Sequence, residues 1–300
     1  MAKKEHSLPT LAAGVVGNVM EWYDFALFGY LAPIFSQLFF TSQSEVVALL
    51  STYGIFAAGF LMRPLGAILF GYIGDRWSRK TALFLSVVFM GLPTFLLGCL
   101  PTYATIGILA PILLVIIRLV QGLSVGGEFS GSVTYVVETS PLHKRGFRGS
   151  LSNIGSMGGT LLGTGIAALV TGFMPETILN TWGWRLPFLF GGFIGILAIF
   201  LRKNLSPSHI YHEHETRHSD RSPLVETFKD NFPETLSAIL FTAGYGVLFY
   251  IPLVYLPTYI EKFTIFGIDK ALQMNTFGIL FAIPLIPLFG KISDKFIRRK

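Results

Sequence analysis

Long apolar runs alternate with short polar segments along almost the whole chain. Eight runs have roughly the 20 residues that an α-helix needs to cross about 30 Å of hydrocarbon. None shows the period-two alternation of barrel strands. The pattern predicts an all-α, multi-pass membrane protein whose fourth helix is long enough to protrude from the bilayer. The runs lie at about 11–38, 46–71, 81–100, 106–136, 149–173, 184–202, 234–258 and 271–290.

Composition supports the membrane assignment and excludes other classes. Of the 300 residues, 52% are hydrophobic and 13% are charged, whereas about 25% are charged in soluble domains. The net charge of +6 comes from short basic clusters between apolar runs, so no nucleic-acid partner is expected. A single cysteine, Cys99, rules out an internal disulfide framework. Four histidines fall in one polar segment, which we interpret as solvated and not as a metal site; they are His209, His212, His214 and His218.

The distribution of Lys and Arg predicts the orientation. With a cytoplasmic N-terminus, 18 of the 23 basic residues lie in cytoplasmic segments, a count that includes Arg148 and Arg202. Only Lys262 and Lys270 lie on the opposite side. Cytoplasmic segments of membrane proteins carry this excess of positive charge. We therefore expect a protein of the cell inner membrane with its N-terminus in the cytoplasm.

A polar stretch at 203–233 separates six predicted helices from two. It divides the chain into a six-helix bundle (1–202), a cytoplasmic linker (203–233) and a partial second bundle of two helices (234–300). The segment GYIGDRWSRK at 71–80 follows the second run, and GKISDKFIRRK at 290–300 follows the eighth. Both share a glycine, an acid four residues later and a basic tail. This recurrence indicates a six-helix repeat of parallel orientation.

Five motifs carry a resemblance to a known family. Gly71, Asp75, Arg76, Arg79 and Lys80 resemble the loop signature of the major facilitator superfamily. The run Arg118-x-x-Gln121-Gly122-x-x-x-Gly126-Gly127-Glu128 resembles its fourth-helix motif. Three further runs are similar to the metabolite:proton symporter branch, which includes the proline/betaine transporters. They are Gly17-Asn18-x-x-Glu21-Trp22-Tyr23-Asp24-Phe25, Glu138-x-x-Pro141-x-x-x-Arg145-Gly146 and Trp184-Arg185-x-Pro187-Phe188.

The resemblance implies a bundle of twelve helices, of which this chain has about eight. We therefore expect a chain that stops after the eighth helix. Two positions depart from the loop signature, because Ser78 and Ile297 stand where the family usually has glycine.

Two acids lie inside the first apolar run. Charges at the centre of a membrane helix cost about 2.5–3.5 kcal/mol on insertion scales, so they need a reason. Glu21 and Asp24 are three residues apart and share a helix face. Trp22, Tyr23 and Phe25 surround them, and such desolvation favours reversible protonation. We predict a site for the coupling proton or the solute, lined by these rings; the alternative is a structural pair satisfied by Arg63 or by backbone groups.

Arg118 lies in the middle of the fourth run, with Gln121 and Glu128 roughly along the same stripe of the helix. The resemblance implies a part in proton movement. Because arginine keeps its charge at any accessible pH, its role would be to bias a nearby carboxyl group. The alternative is a packing ion pair with Glu21, Asp24 or Glu128.

For the loop residues Gly71, Asp75, Arg76, Arg79 and Asp294, the resemblance implies gating by charge contacts between helices. The positive-inside rule alone would explain the basic residues but not Asp75 or Gly71.

A pattern of small residues on the fifth run, formed by Gly155, Gly159 and Gly163, predicts close helix packing, in a static bundle or in one that rocks.

These observations predict a secondary active transporter that works by alternating access. The expected reaction is proton symport of a small organic solute, such as proline, glycine betaine or an organic acid. No cofactor is expected besides the proton as coupling ion, and the partners are the solute and the lipid bilayer. The sequence has no Walker loop and no recognisable nucleophile–base motif, so we expect no enzyme activity. The alternative is a truncated, non-transporting membrane protein, such as a sensor or scaffold.

Overall fold

The computed structural model describes residues 8–40, 44–203, 229, 231–251, 256–265 and 268–296, and these are helical almost throughout. A 3₁₀ turn (Leu142–Lys144) precedes α7, and a π turn (Leu179–Gly183) precedes α9. The described residues contain no strand, so the all-α prediction is confirmed. The helices are α1 (Leu8–Phe39), α2 (Glu45–Leu61), α3 (Arg63–Arg76), α4 (Arg79–Cys99), α5 (Tyr103–Ile106), α6 (Leu109–Glu138), α7 (Arg145–Phe173), α8 (Glu176–Ile178), α9 (Arg185–Lys203), α10 (Phe232–Tyr250), α11 (Leu256–Phe263) and α12 (Ile268–Phe296).

Seven helical segments of the described chain are long and apolar enough to cross a membrane, judged by length and composition. The remaining predicted span is α1, which has 32 residues but is not among the seven. Asn18, Glu21 and Asp24 make α1 less apolar, and all three are buried. The seven segments are Glu45–Arg76, Arg79–Cys99, Leu109–Glu138, Leu142–Phe173, Arg185–Lys203, Phe232–Phe249 and Gln273–Phe296.

The second predicted span is interrupted, which the apolar pattern did not show. The helix breaks at Met62, whose N–H bonds to the carbonyl of Gly59, three residues back. Pro64 explains the break, because proline has no N–H and its ring clashes with the carbonyl of the residue four positions earlier. Within the seventh predicted span, 234–258, α10 extends to Tyr250 and α11 begins at Leu256, while residues 252–255 lie outside the described residues.

Helix α1 lies at the centre of the bundle, in contact with α2, α4, α6, α7 and α9. The predicted glycine stripe of α7 faces it. A Cβ atom on Gly159 would overlap the backbone carbonyl of Val19, and one on Gly163 would lie 2.6 Å from the backbone oxygen of Tyr23. Only glycine allows this approach, so the stripe is a close helix contact. Aromatic residues fill the core beyond it: Phe28, Phe35, Phe39, Trp184 and Phe188.

The last helices lie at the edge of the bundle. Helix α12 packs against α7 and α11. None of the described residues of the α10 span is buried. Most of the predicted linker 203–233, including the four histidines, lies outside the described residues. The division into bundles at 202 and 234 therefore stays a prediction.

Candidate functional site

A buried carboxylate on α1 is held by α6. Arg118 donates from Nη1 to Oδ2 of Asp24 at 2.5 Å, and Gln121 donates from Nε2 to Oδ1 at 2.9 Å. Both donors reach one carboxylate because residues three apart are neighbours on a helix surface. The hydroxyl of Thr94, on α4, lies 3.0 Å from Oδ1. Asp24 is 0% exposed, and both of its oxygens are engaged.

The guanidinium of Arg118 is also covered by an aromatic ring. Its central carbon lies 3.6 Å from the ring centroid of Phe28, which is a cation–π distance. The Nε and Nη2 atoms of Arg118 are buried and have no hydrogen-bond partner among the described residues. One side of the guanidinium is thus bound to Asp24, while its remaining donors lie in the apolar interior.

Glu21 has a different partner from Asp24, although the sequence placed both acids on one face. Its Oε1 lies 3.9 Å from Nη2 of Arg63, which is too long for a hydrogen bond. Its Oε2 is buried with no hydrogen-bond partner in the described part of the chain. Arg63 packs its guanidinium on two rings, at 4.5 Å from the centroid of Phe25 and 4.1 Å from that of Phe60.

Glu128 forms a second centre and does not join Arg118. Ten residues separate the two on α6, a rise of about 15 Å. Both carboxylate oxygens of Glu128 accept hydrogen bonds from Arg202, and the Ser86 hydroxyl donates to Oε2 at 2.5 Å. Gly17 of α1 makes room for the pair, because a Cβ atom there would overlap Glu128 and Arg202. Arg202, which the sequence assigned to a cytoplasmic segment, turns its side chain into the bundle, where it is fully buried.

The three predicted lining rings point in different directions. Tyr23 donates from its hydroxyl to the carbonyl of Pro187 at 2.6 Å and packs edge-on against Phe190, so it serves the α1–α9 contact. The ring of Trp22 lies 5.1 Å from that of Phe249 on α10. With Phe25 on Arg63, two of the three rings lie near the Glu21–Arg63 pair.

The predicted gating loop contains an ion pair within one turn of chain. Asp75 lies 2.8 Å from Nη1 of Arg79, whose Nε is 3.6 Å from Glu138 at the end of α6. Ser78, which replaces the family's glycine, caps the start of α4, because its hydroxyl accepts the N–H of Thr81 at 3.0 Å. A Cβ atom on Gly71 would have no neighbour within 4 Å, and the side chain of Arg76 is exposed.

Asp294, the counterpart of Asp75 in the repeat, binds the start of α7. Its Oδ1 accepts the N–H of Gly146 at 2.6 Å, and its Oδ2 accepts the N–H of Phe147 at 2.8 Å. These N–H groups belong to the first turn of α7 and have no partner within that helix. A carboxylate is also favoured there by the helix dipole. The second copy of the loop motif therefore joins α12 to α7.

Comparison with known sequences decides the family. The sequence profile of the Major Facilitator Superfamily matches residues 14–300. The chain belongs to this superfamily. It is 35% identical over 299 residues to the proline/betaine transporter of Salmonella typhimurium, covering 96% of this chain and 60% of that protein. The glycine betaine/proline/ectoine/pipecolic acid transporter OusA of Dickeya dadantii is 32% identical over 299 residues, with the same coverage. The chain thus spans about 60% of the length of these curated relatives.

Solved structures show the superfamily fold. The proton:xylose symporter XylE bound to 6-bromo-6-deoxy-D-glucose superposes with a TM-score of 0.72 at 19% identity, covering 96% of this chain and 69% of that one. A double-tryptophan mutant of XylE gives a TM-score of 0.75 at 18% identity, covering 95% and 69%. The relatives by sequence are named as transporters, in agreement with the prediction that this superfamily member is not an enzyme.

Sequence patterns did not predict three residues that bind the buried carboxylates of Asp24 and Glu128. Thr94 and Ser86 are neutral hydroxyl residues in an apolar helix, and nothing in their spacing singles them out. Arg202 stands at the end of an apolar run, where a basic residue normally reaches water. One signal was available: Gly17 on α1 leaves a space that a long side chain from a neighbouring helix can fill.

Proposed function

We propose that this superfamily member is a secondary active transporter that couples the uptake of a small organic solute to protons by alternating access. The observation that carries the proposal is the fully buried ion pair between Asp24 and Arg118. Because arginine does not lose its proton, we assign the coupling proton to the carboxyl group of Asp24. Protonation would leave the charge of Arg118 without its partner, and a change of this kind can shift the balance between two arrangements of the helices.

The proposed solute is proline or glycine betaine. The relatives in Salmonella typhimurium and Dickeya dadantii are named as transporters of proline and betaine, which supports these solutes for this chain. The coupling of solute to proton is supported by the fold shared with the proton:xylose symporter XylE. Arg63 and Arg118 also supply the cations that an organic acid would need, so the solute class includes carboxylates in general.

The proposed location is the bacterial inner membrane with a cytoplasmic N-terminus. The side chains of Arg148 and Arg202 are buried, but the excess of positive charge does not depend on them. Without them, the segments assigned to the cytoplasm still hold 16 Lys and Arg residues, against two on the other side. The positive-inside rule therefore supports the same orientation.

Uptake of radiolabelled proline into proteoliposomes tests the proposal. An imposed pH gradient, acidic outside, should drive accumulation by the unsubstituted chain. Asp24→Asn removes the titratable group while keeping its size, so it should abolish accumulation and leave solute exchange in the absence of a gradient. Glu176→Gln, at an exposed acid, is the matched control and should behave like the unsubstituted chain.

Two results would contradict the proposal. One is proton-driven accumulation by Asp24→Asn equal to that of the unsubstituted chain. The other is an absence of proline and glycine betaine uptake by the unsubstituted chain in vesicles where its insertion has been verified.

A further inference from the structure

Among the three buried acids of the described bundle, only Glu21 is incompletely bonded. Asp24 and Glu128 have hydrogen-bond donors on both oxygens. Glu21 has one oxygen 3.9 Å from Arg63 and another with no partner. A buried polar atom without a hydrogen bond costs about 1–3 kcal/mol, so it is rarely kept without a use. The Glu21–Arg63 pair is therefore the one that remains available to a ligand.

Arg63 is held in a way that suits recognition of an anion. Its guanidinium carbon lies 4.5 Å from the ring centroid of Phe25 and 4.1 Å from that of Phe60, and such cation–π contacts hold the group while leaving its N–H groups free to donate. The Nε atom has no hydrogen-bond partner among the described residues. Its edge donors match the geometry of a carboxylate, which takes two parallel N–H···O bonds.

The backbone of Arg63 is fixed while its side chain reaches the surface of the bundle. Arg63 begins α3 directly after the break at Met62. Its carbonyl lies so close to Gly126 of α6 that a Cβ atom there would overlap it. The side chain is nevertheless 25% exposed, against 3% for Arg118. Of these two arginines, Arg63 is the one that a solute can reach without breaking the Asp24 pair.

One aromatic contact joins this part of α1 to α10. Trp22, next to Glu21, contacts Phe249 of α10, and its indole Nε1 is buried with no partner in the described chain. Aromatic faces favour positively charged nitrogen groups. The side chains here thus offer a guanidinium to an anion, and a carboxylate with aromatic rings to a cation.

We infer that Arg63 binds the carboxylate of the transported solute, and that Glu21 and Trp22 face its positively charged nitrogen, while Asp24 and Arg118 handle the proton. The inference rests on the proposed function and deepens it. It makes Arg63 a specificity-determining residue. It also divides the two acids that the sequence treated as one site, giving the solute to Glu21 and the proton to Asp24.

Equilibrium binding of two probes to the purified full chain in detergent tests the inference. Proline has a carboxylate, and prolinamide has a neutral amide in its place. Arg63→Gln should weaken proline binding by roughly 10- to 100-fold, the loss expected for hydrogen bonds to a charged group. It should leave prolinamide binding unchanged within about twofold. Arg63→Lys keeps the positive charge but loses the planar guanidinium. Its affinity for proline should therefore lie between that of the unsubstituted chain and that of Arg63→Gln.

The control is Lys144→Gln, which removes one positive charge at an exposed position and should leave both affinities unchanged. Equal weakening of proline and prolinamide by Arg63→Gln would overturn the inference, because it would show a structural effect. The inference would also be overturned if Arg118→Gln weakened the binding of proline but not that of prolinamide, while Arg63→Gln changed neither affinity. If the unsubstituted chain binds neither proline nor glycine betaine, the proposed function fails and this inference fails with it.

Discussion

Replacing Arg202 by methionine tests whether the buried Glu128–Arg202 pair holds four helices together. Arg202 extends from α9, donates to Glu128 on α6, and also donates to the carbonyls of Ala13 on α1 and Leu83 on α4, at 2.9 and 2.5 Å. Methionine keeps an unbranched apolar stem of similar reach but makes none of these bonds. The change therefore removes the hydrogen bonds while leaving most of the packing.

The expected loss follows from what remains around Glu128. Without Arg202, the Ser86 hydroxyl is the hydrogen-bond donor that still reaches its carboxylate. Removing one partner of a buried pair costs about 3–5 kcal/mol, because the other charge is left uncompensated. Arg202→Lys keeps a charge but loses the bidentate geometry, so its loss should be smaller. Adding Glu128→Gln to Arg202→Met removes the stranded charge and should restore part of the stability.

Free energies of unfolding, measured by denaturant titration in mild detergent, give the comparison. Two glycine variants on α1 test the packing around the Glu128–Arg202 pair, one beside the pair and one away from it. Gly17→Ala should destabilise, because its Cβ atom would overlap Glu128 and Arg202. Gly29→Ala has nothing within 4 Å and should gain about 0.5–1 kcal/mol from the helix preference of alanine. A loss below about 1 kcal/mol for Arg202→Met, or a double variant less stable than Arg202→Met, would refute the reasoning.

Two further predictions concern helix contacts. Gly159→Ala should destabilise the protein by about 1–3 kcal/mol, because its Cβ atom meets the backbone of α1, whereas Gly158→Ala faces open space and should not; equal melting temperatures of the two variants in detergent would contradict the proposed role of the stripe. Asp294→Ala should cost about 0.5–2 kcal/mol by leaving the first turn of α7 without its acceptor, and should speed amide hydrogen exchange at Gly146 and Phe147. Unchanged exchange at both amides would show that the contact does not cap the helix.

The helical structure of the apolar runs could be predicted from sequence because the bilayer imposes one requirement. Every backbone polar group must be satisfied within the membrane, so long apolar runs form helices. The break at Met62 was missed because the run from 46 to 71 is apolar on both sides of Met62 and Arg63. The signal was Pro64, which hydropathy does not register but which disturbs the backbone of the preceding turn.

Partners of buried charges could be predicted only in part. Residues three apart on α1 point about 60° apart around the helix, so Glu21 and Asp24 share a face but diverge at their tips. The shorter Asp24 meets α6, and the longer Glu21 lies toward Arg63 at the start of α3. Sequence spacing gives the face of each helix but not which helix stands opposite. The Glu128–Arg202 pair was missed for the same reason, since 74 residues separate its members.

The contact between Asp294 and α7 has a consequence for the order of biosynthesis. Its donors, Gly146 and Phe147, precede Asp294 by 148 and 147 residues. At translation rates of about 5–20 residues per second, roughly 7 to 30 seconds pass between them. During that interval α7 has already left the ribosome, and its first turn must rely on water or lipid headgroups for hydrogen bonds. The arrival of α12 completes the start of a helix made much earlier, so α7 reaches its final stability only when α12 is in place.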